Sequence, residues 1–261
     1  MIDTSELIKL YEKGMSMAAL AKKYVVSTYK IKRILKENNI YIRSRNEQNK
    51  YNPQNQRQYH INDNYFDTEN PNMAYLLGFL AADGCVYQHK NSIKIGLSDV
   101  DTEFLELIEK ELNANFPIRH YETKDGYHVC EVVFTSHQIK MQLFKYGIVP
   151  RKTYSFTFPY ILDEKYYIDF IRGYFDGDGS VSTAGKALRW QLCSYNKEFL
   201  ISVLDILEKY NIPKVNIYKR NNLYYFQYST NSTKQLFNIL YYDNCLCLPR
   251  KYKKYCALLM K

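Results

Sequence analysis

With 261 residues and an apolar fraction of 46%, the chain can bury a sizeable core and is too hydrophobic to be disordered along most of its length. Its formal charge of +9 is uneven: residues 1–60 hold 12 Lys+Arg against 5 Asp+Glu, and the remainder holds 24 against 22. Six cysteines without a C-x-x-C pair or paired histidine spacing argue against structural zinc, and no apolar run approaches the length of a membrane span. The start, M-I-D-T-S-E-L-I-K-L, lacks the basic and then apolar layout of a signal peptide. An intracellular protein, cytoplasmic or nucleoid-associated, with reduced thiols is therefore expected. Cys85 and Cys193 lie in apolar stretches and read as small core residues. A basic arm on a near-neutral body points to a polyanionic partner.

In chain order, residues 4–40 read as three short helices. The first carries Leu7, Ile8 and Leu10; the second and third follow the N-cap candidates Ser16 and Ser27. The third places Ile31, Ile34 and Leu35 on one face. Thr28, Tyr29, Lys30, Lys32, Arg33 and Lys36 lie on the other. This layout resembles the helix-turn-helix family, which implies that the third helix enters the DNA major groove with its N-terminal residues at base edges. Val25 departs from that family, because the turn wants a positive φ that a β-branched residue dislikes.

Residues 43–71 read as a polar linker, in which Arg43, Arg45, Lys50 and Arg57 are candidates to track phosphates or enter a minor groove. A helix follows from about Asn72 to Asp83. A strand pair spans 85–98, an amphipathic helix 100–113, two strands 116–123 and 127–135, and a helix 137–146. The order then repeats. With a shift of 95 residues Asp83 falls on Asp178, Ile93-Lys94-Ile95 on Leu188-Arg189-Trp190, and Phe104-Leu105 on Phe199-Leu200. Strands near 214–220 and 223–229 and a helix near 231–241 complete the second copy. V-P-R-K-T at 149–153 is echoed by L-P-R-K-Y at 248–252. The expected fold is α+β: two pseudo-symmetric αββαββα halves, 72–160 and 161–261, after a small all-α domain at 1–42 and the linker at 43–71.

The repeat centres on L-L-G-F-L-A-A-D-G at 76–84 and I-R-G-Y-F-D-G-D-G at 171–179. Small residues four apart, Gly78/Ala82 and Gly173/Gly177, let two helices touch along their backbones. Gly84 and Gly179 are placed for a left-handed helix end. The same packing would bring Asp83 and Asp178 together at two helix C-termini. Helix dipole and mutual repulsion both disfavour that, so a compensating cation such as Mg²⁺ is called for.

These residues resemble the LAGLIDADG homing-endonuclease family over roughly residues 66–256. The resemblance implies a monomer whose strands form a saddle on the major groove of double-stranded DNA. It further implies that Asp83 and Asp178 bind divalent metal between the scissile phosphates, and that cleavage leaves a short 3′ overhang. Ala81 departs from the consensus acidic residue, which Asp176 keeps in the second half. Lys152 and Lys251 match the family's basic residues near the cleavage centre and are expected to stabilise transition-state charge or position water. On the strands, Lys94, Arg119, Tyr121, Arg189, Gln191, Lys219 and Arg220 are candidates for DNA contact or for the centre. The alternative is a non-cleaving nucleic-acid binder on the same fold, either an RNA-splicing maturase or a transcription regulator.

Overall fold

The computed structural model describes residues 2–51, 58–185 and 187–259, which fall into two units, residues 1–58 and 59–261. Arg57 lies outside the described residues.

The first unit opens with three helices, α1 (Thr4–Glu12), α2 (Met17–Lys23) and α3 (Thr28–Glu37), around Leu7, Tyr11, Leu20, Ile31 and Leu35. The side chains of Asp3, Ser16 and Ser27 each cap the helix that follows them. The α2–α3 turn does adopt the positive φ (54°) at Val25, whose side chain is 90% exposed. Part of the expected linker is folded onto this unit. Residues 45–49 form a short helix, α4 (Arg45–Asn49), entered through a capping box of Ser44 and Glu47. Gln48 Nε2 donates to the Gly14 carbonyl at 2.7 Å. The Arg43 guanidinium sits over the rings of Tyr11 (3.9 Å) and Tyr51 (4.6 Å).

The second unit opens with α5 (Pro71–Ala82), capped by the Asn70 side chain and started by Pro71. It is followed by β1 (Gly84–Val86), β2 (Ser92–Ser98), α6 (Thr102–Glu111), β3 (Arg119–Glu122), β4 (His128–Thr135) and α7 (His137–Lys145). The second copy is α8 (Tyr167–Asp178), β5 (Ser180–Ala184), β6 (Ala187–Ser194), α9 (Lys197–Lys209), β7 (Tyr218–Arg220), β8 (Leu223–Tyr228) and α10 (Thr230–Leu240). A further helix, α11 (Pro249–Leu259), begins inside the repeated P-R-K segment. In the first half that segment is a turn instead, with Arg151 left-handed at φ 61°. Each half carries one antiparallel sheet, in the orders β1-β2-β4-β3 and β5-β6-β8-β7.

Strand alternation decides what each sheet shows to its two faces. Ile93, Ile95, Cys130, Val132 and Phe134 are buried beneath the first sheet, and Leu188, Trp190, Leu192, Phe226 and Tyr228 beneath the second. Cys85 and Cys193 were expected in the core but alternate with Val86 and Leu192, so they face outward; Cys85 is exposed and Cys193 partly so.

α5 and α8 are the spine. Each is twelve residues long and buried nearly all round, as suits a helix enclosed by its own fold. They meet backbone to backbone. A methyl group on Gly78 would lie 2.0 Å from the Phe170 carbonyl oxygen, and one on Gly173 would lie 1.9 Å from that of Tyr75. On Gly177 it would lie 2.4 Å from Ala82 Cβ.

The two glycines after the helices behave differently from expectation. Gly179 is extended (φ −88°, ψ 166°), and Gly84 is not left-handed either. Each chain passes straight from helix into strand, and a left-handed turn would aim it away. Glycine is needed there because a side chain would strike the preceding helical turn, at Leu80 O (2.5 Å) and at Phe175 Cδ2 (2.0 Å).

Candidate functional site

Asp83 caps α5 and Asp178 ends α8, so the close helix packing carries both carboxylates to one place. The Asp83 carboxylate lies against Gly177, the residue before Asp178: Oδ2 is 3.2 Å from where a Gly177 Cβ would stand. Both aspartates are exposed to solvent, with neighbouring protein atoms close enough to desolvate them in part. Burial, and then the charge of Asp178, pushes the Asp83 carboxyl up to about 6. Burial also raises Asp178, which Tyr174 and the two lysines pull back.

Lys152 and Lys251 sit at the same helix ends. Lys152 Nζ donates to the Gly84 carbonyl at 2.6 Å. Lys251 Nζ donates to the carbonyls of Phe175 (2.7 Å), Asp176 (2.6 Å) and Gly179 (2.7 Å). The Lys251 ammonium therefore caps the C-terminus of α8, where the dipole welcomes positive charge, whereas Lys152 holds the first residue of β1, just past the end of α5. Desolvation depresses both lysines below their ordinary value, while the nearby aspartates push the other way. The charge of the two lysines thus partly offsets that of the awkward pair of carboxylates.

Two carboxylates and helix-end carbonyls are hard oxygen donors. Among the described residues no group of three or more His, Cys, Asp or Glu side chains is placed to hold a metal. This set fits Mg²⁺, which keeps several waters and commonly takes only one or two carboxylates plus substrate phosphates. Stability gives a readout independent of any activity. The raised pKa of Asp83 means that the folded chain keeps this proton up to about pH 6, whereas the unfolded chain releases it near 3.8. Stability therefore falls as pH rises from about 4 to about 6 and stays lowered above that. Discounted for exposure, the cost is about 1 kcal/mol. Asp83→Asn is accordingly expected to melt later than the wild type at pH 7, and not at pH 4. Mg²⁺ should raise the melting point of the wild type more than that of the variant. Fluorescence of the single tryptophan, Trp190, reports this unit directly.

The strand candidates divide. Arg189, Gln191 and Arg220 share the outer face of the second sheet and line one hollow of about 760 Å³ with Tyr195, Tyr225 and Gln227. Lys219 pairs with Tyr224 on the opposite face and lies over its ring at 5.0 Å. In the first sheet Lys94, Arg119 and Tyr121 share the outer face, grouped around Glu131. In the first unit Thr28, Tyr29, Lys30, Lys32 and Arg33 all stand exposed on α3, whereas Arg43 is engaged by Tyr11 and Tyr51. Arg45 is exposed on α4.

Other residues that position the site were not evident from the sequence. Asp176, fully buried, accepts from Tyr75 (2.8 Å), Tyr241 (2.6 Å) and the Leu248 amide (2.7 Å). It ties α5 and the segment before α11 to α8, just ahead of Asp178. Arg250 forms a bidentate pair with Asp101 of the other half, both contacts at 2.8 Å. The acidic residue two before Asp178 and the arginine of the repeated P-R-K were the available signals.

The LAGLIDADG-like domain profile matches residues 70–144 and again 165–240, more than half of the chain. The chain belongs to the LAGLIDADG-like family. The two matches coincide with the two halves, each built around one motif helix. An uncharacterized protein of Methanocaldococcus jannaschii is 26% identical over 204 residues, covering 74% of this chain and 72% of the relative. Among solved structures, the homing endonuclease I-WcaI bound to its DNA recognition sequence superposes with a TM-score of 0.51 at 12% identity, covering 74% of this chain and 90% of that one. The N-terminal LAGLIDADG domain of DUF199/WhiA matches with a TM-score of 0.46 at 16% identity, over 70% and 91% of the two chains. At 12% identity the likeness to I-WcaI concerns the fold alone. Among the described residues no helix is long and apolar enough to cross a membrane.

Proposed function

We propose that the chain is a site-specific DNA endonuclease that makes a divalent-metal-dependent double-strand break, acting as a monomer through its internal two-fold repeat. The observation that carries this is the paired carboxylates, Asp83 and Asp178, held together by helices in backbone contact and each attended by a buried lysine. Membership of the LAGLIDADG-like family and the fold shared with a DNA-bound homing endonuclease support it.

Asp83 and Asp178 would hold Mg²⁺, whose chemistry is to activate water and stabilise the oxygens of an in-line phosphoryl displacement. The protein's part is positional. α5 and α8 set the carboxylates where the two strands of a duplex come closest across the repeat axis. Lys152 and Lys251 fix the helix ends and add positive charge close to the developing phosphorane. The outer faces of the two sheets lie along the major groove, with Arg189, Gln191, Arg220, Lys94, Arg119 and Tyr121 as contacts. The exposed basic face of α3 supplies a second recognition element. Cleavage is expected to leave a short 3′ overhang.

The test is to digest a randomised duplex DNA library with the full chain and Mg²⁺, and to sequence the ends. A single long recognition sequence at the cut ends, with a uniform 3′ overhang, supports the assignment. Tight sequence-specific binding without cleavage under any divalent metal would instead establish a non-cleaving regulator on the same fold.

A further inference from the structure

The two sheets carry different chemistry at the same point. In the second sheet Gln191 of β6 pairs with Gln227 of β8. The corresponding residues of the first sheet are Gly96 of β2 and Glu131 of β4, also directly paired. Glu131 is therefore a carboxylate in the middle of a face otherwise marked by Lys94, Arg119 and Tyr121. Its side chain is only 13% exposed. Lys94 Nζ lies 2.6 Å from Oε2, and the Tyr121 hydroxyl donates to the same oxygen at 3.0 Å. Beside it Gly96 leaves the surface open: a methyl group there would meet only Lys94 Cε, at 3.3 Å. A glycine inside a strand commonly marks a place where another molecule approaches closely.

An acidic group on a DNA-facing surface works against the phosphate attraction that drives binding. Lys94 offsets part of that cost, and a contact to a base would offset more. An ionised carboxylate is acceptor-only. In the major groove it is repelled by guanine O6/N7 and thymine O4, while cytosine presents only its N4 amino donor; adenine adds an N7 acceptor beside its donor. Lysine and arginine are the natural partners of guanine. Resting on the DNA-cleaving reading above, we infer that Glu131 is a specificity-determining residue that accepts from a cytosine amino group in the first half-site, with Lys94 or Arg119 donating to the guanine of that C·G pair. The slot over Gly96 admits the base edge. Lys94 and Tyr121 hold Glu131 in place before DNA arrives, so little side-chain ordering remains to be done on binding. The matching position of the second half, with two glutamine amides, suits adenine instead.

The experiment is a binding selection on randomised duplex DNA in EDTA, with the full-length wild type and Glu131→Gln side by side. Trp190 fluorescence melts confirm that both are folded. The wild type is expected to enrich a sequence with a fixed C·G pair in one half-site. Glu131→Gln should keep the rest of that sequence, lose about tenfold or more of its preference for C·G at that pair, and bind unselected DNA more tightly because a like charge is gone. Recovery of the wild-type sequence by the variant would overturn the assignment. So would loss of preference at every position together with weaker binding to unselected DNA, since that is the behaviour of a mere scaffold. Failure of the wild type to enrich any sequence would sink the nuclease reading itself, which is a distinct result.

Discussion

Gly173→Ala is expected to lose about 3 kcal/mol or more of the stability of the second unit, read as an earlier urea midpoint of Trp190 fluorescence. The added methyl would stand 1.9 Å from the Tyr75 carbonyl oxygen and 2.9 Å from the Phe79 amide nitrogen. Both are backbone atoms of α5, so no rotamer change relieves the clash and the helices must part. Parting them removes dispersion contacts along two helices buried nearly all round, and it separates Asp83 from Asp178 as well. Gly96→Ala is the control. Its methyl meets only the flexible Lys94 Cε, and a change within about 0.5 kcal/mol is expected, as for an ordinary surface substitution. If Gly173→Ala and Gly96→Ala shifted the midpoint equally, the close helix contact would not be what holds the two halves together.

Much of this architecture was legible because its determinants are local or repeated. Small residues four apart in two apolar runs pointed to a tight helix pair, and that pair is the spine of the second unit. The 95-residue shift carried Lys94 onto Arg189, and the second sheet sets Arg189 and Gln191 on one face and Leu188, Trp190 and Leu192 on the other. Repetition gave the order of elements twice over. What escaped depends on partners far along the chain. Lys152 and Lys251 read as charges near a reactive centre, and only the folded chain shows that Lys251 also caps the end of α8 while Lys152 holds the Gly84 carbonyl just past α5. Arg43 read as a linker residue that could track phosphates or enter a minor groove, but Tyr11, 32 residues earlier, and Tyr51 close over its guanidinium. The face taken by Lys219 depends on the register of a three-residue strand, which alternation over so short a run does not fix. Glu131 is silent in the sequence because a lone carboxylate in a strand looks like an ordinary solvated residue until its neighbours Lys94 and Tyr121 are seen. Val25 shows the reverse case: the turn imposed its left-handed backbone on a β-branched side chain, which the exposed position tolerates.

The largest effect should come from the carboxylates. Replacing Asp178 with asparagine keeps the shape of the side chain and its place at the end of α8, and removes one charge from the pair. Folding should not suffer, because burial already makes that charge costly and Tyr174 remains beside it. A carboxylate contributing several kcal/mol of transition-state stabilisation through a bound metal corresponds to a rate loss of about a thousandfold or more. The same holds for Asp83→Asn, even though that variant gains stability at neutral pH. Loss of activity alongside unchanged or improved stability separates a reactive residue from a structural one. The decisive measurement is the digestion of a supercoiled circle carrying the selected recognition sequence, in Mg²⁺, by the wild type, Asp83→Asn and Asp178→Asn at equal DNA occupancy. The paired-carboxylate account predicts linear product from the wild type and an uncut circle from both variants. Linear product from either variant at the wild-type rate would contradict it.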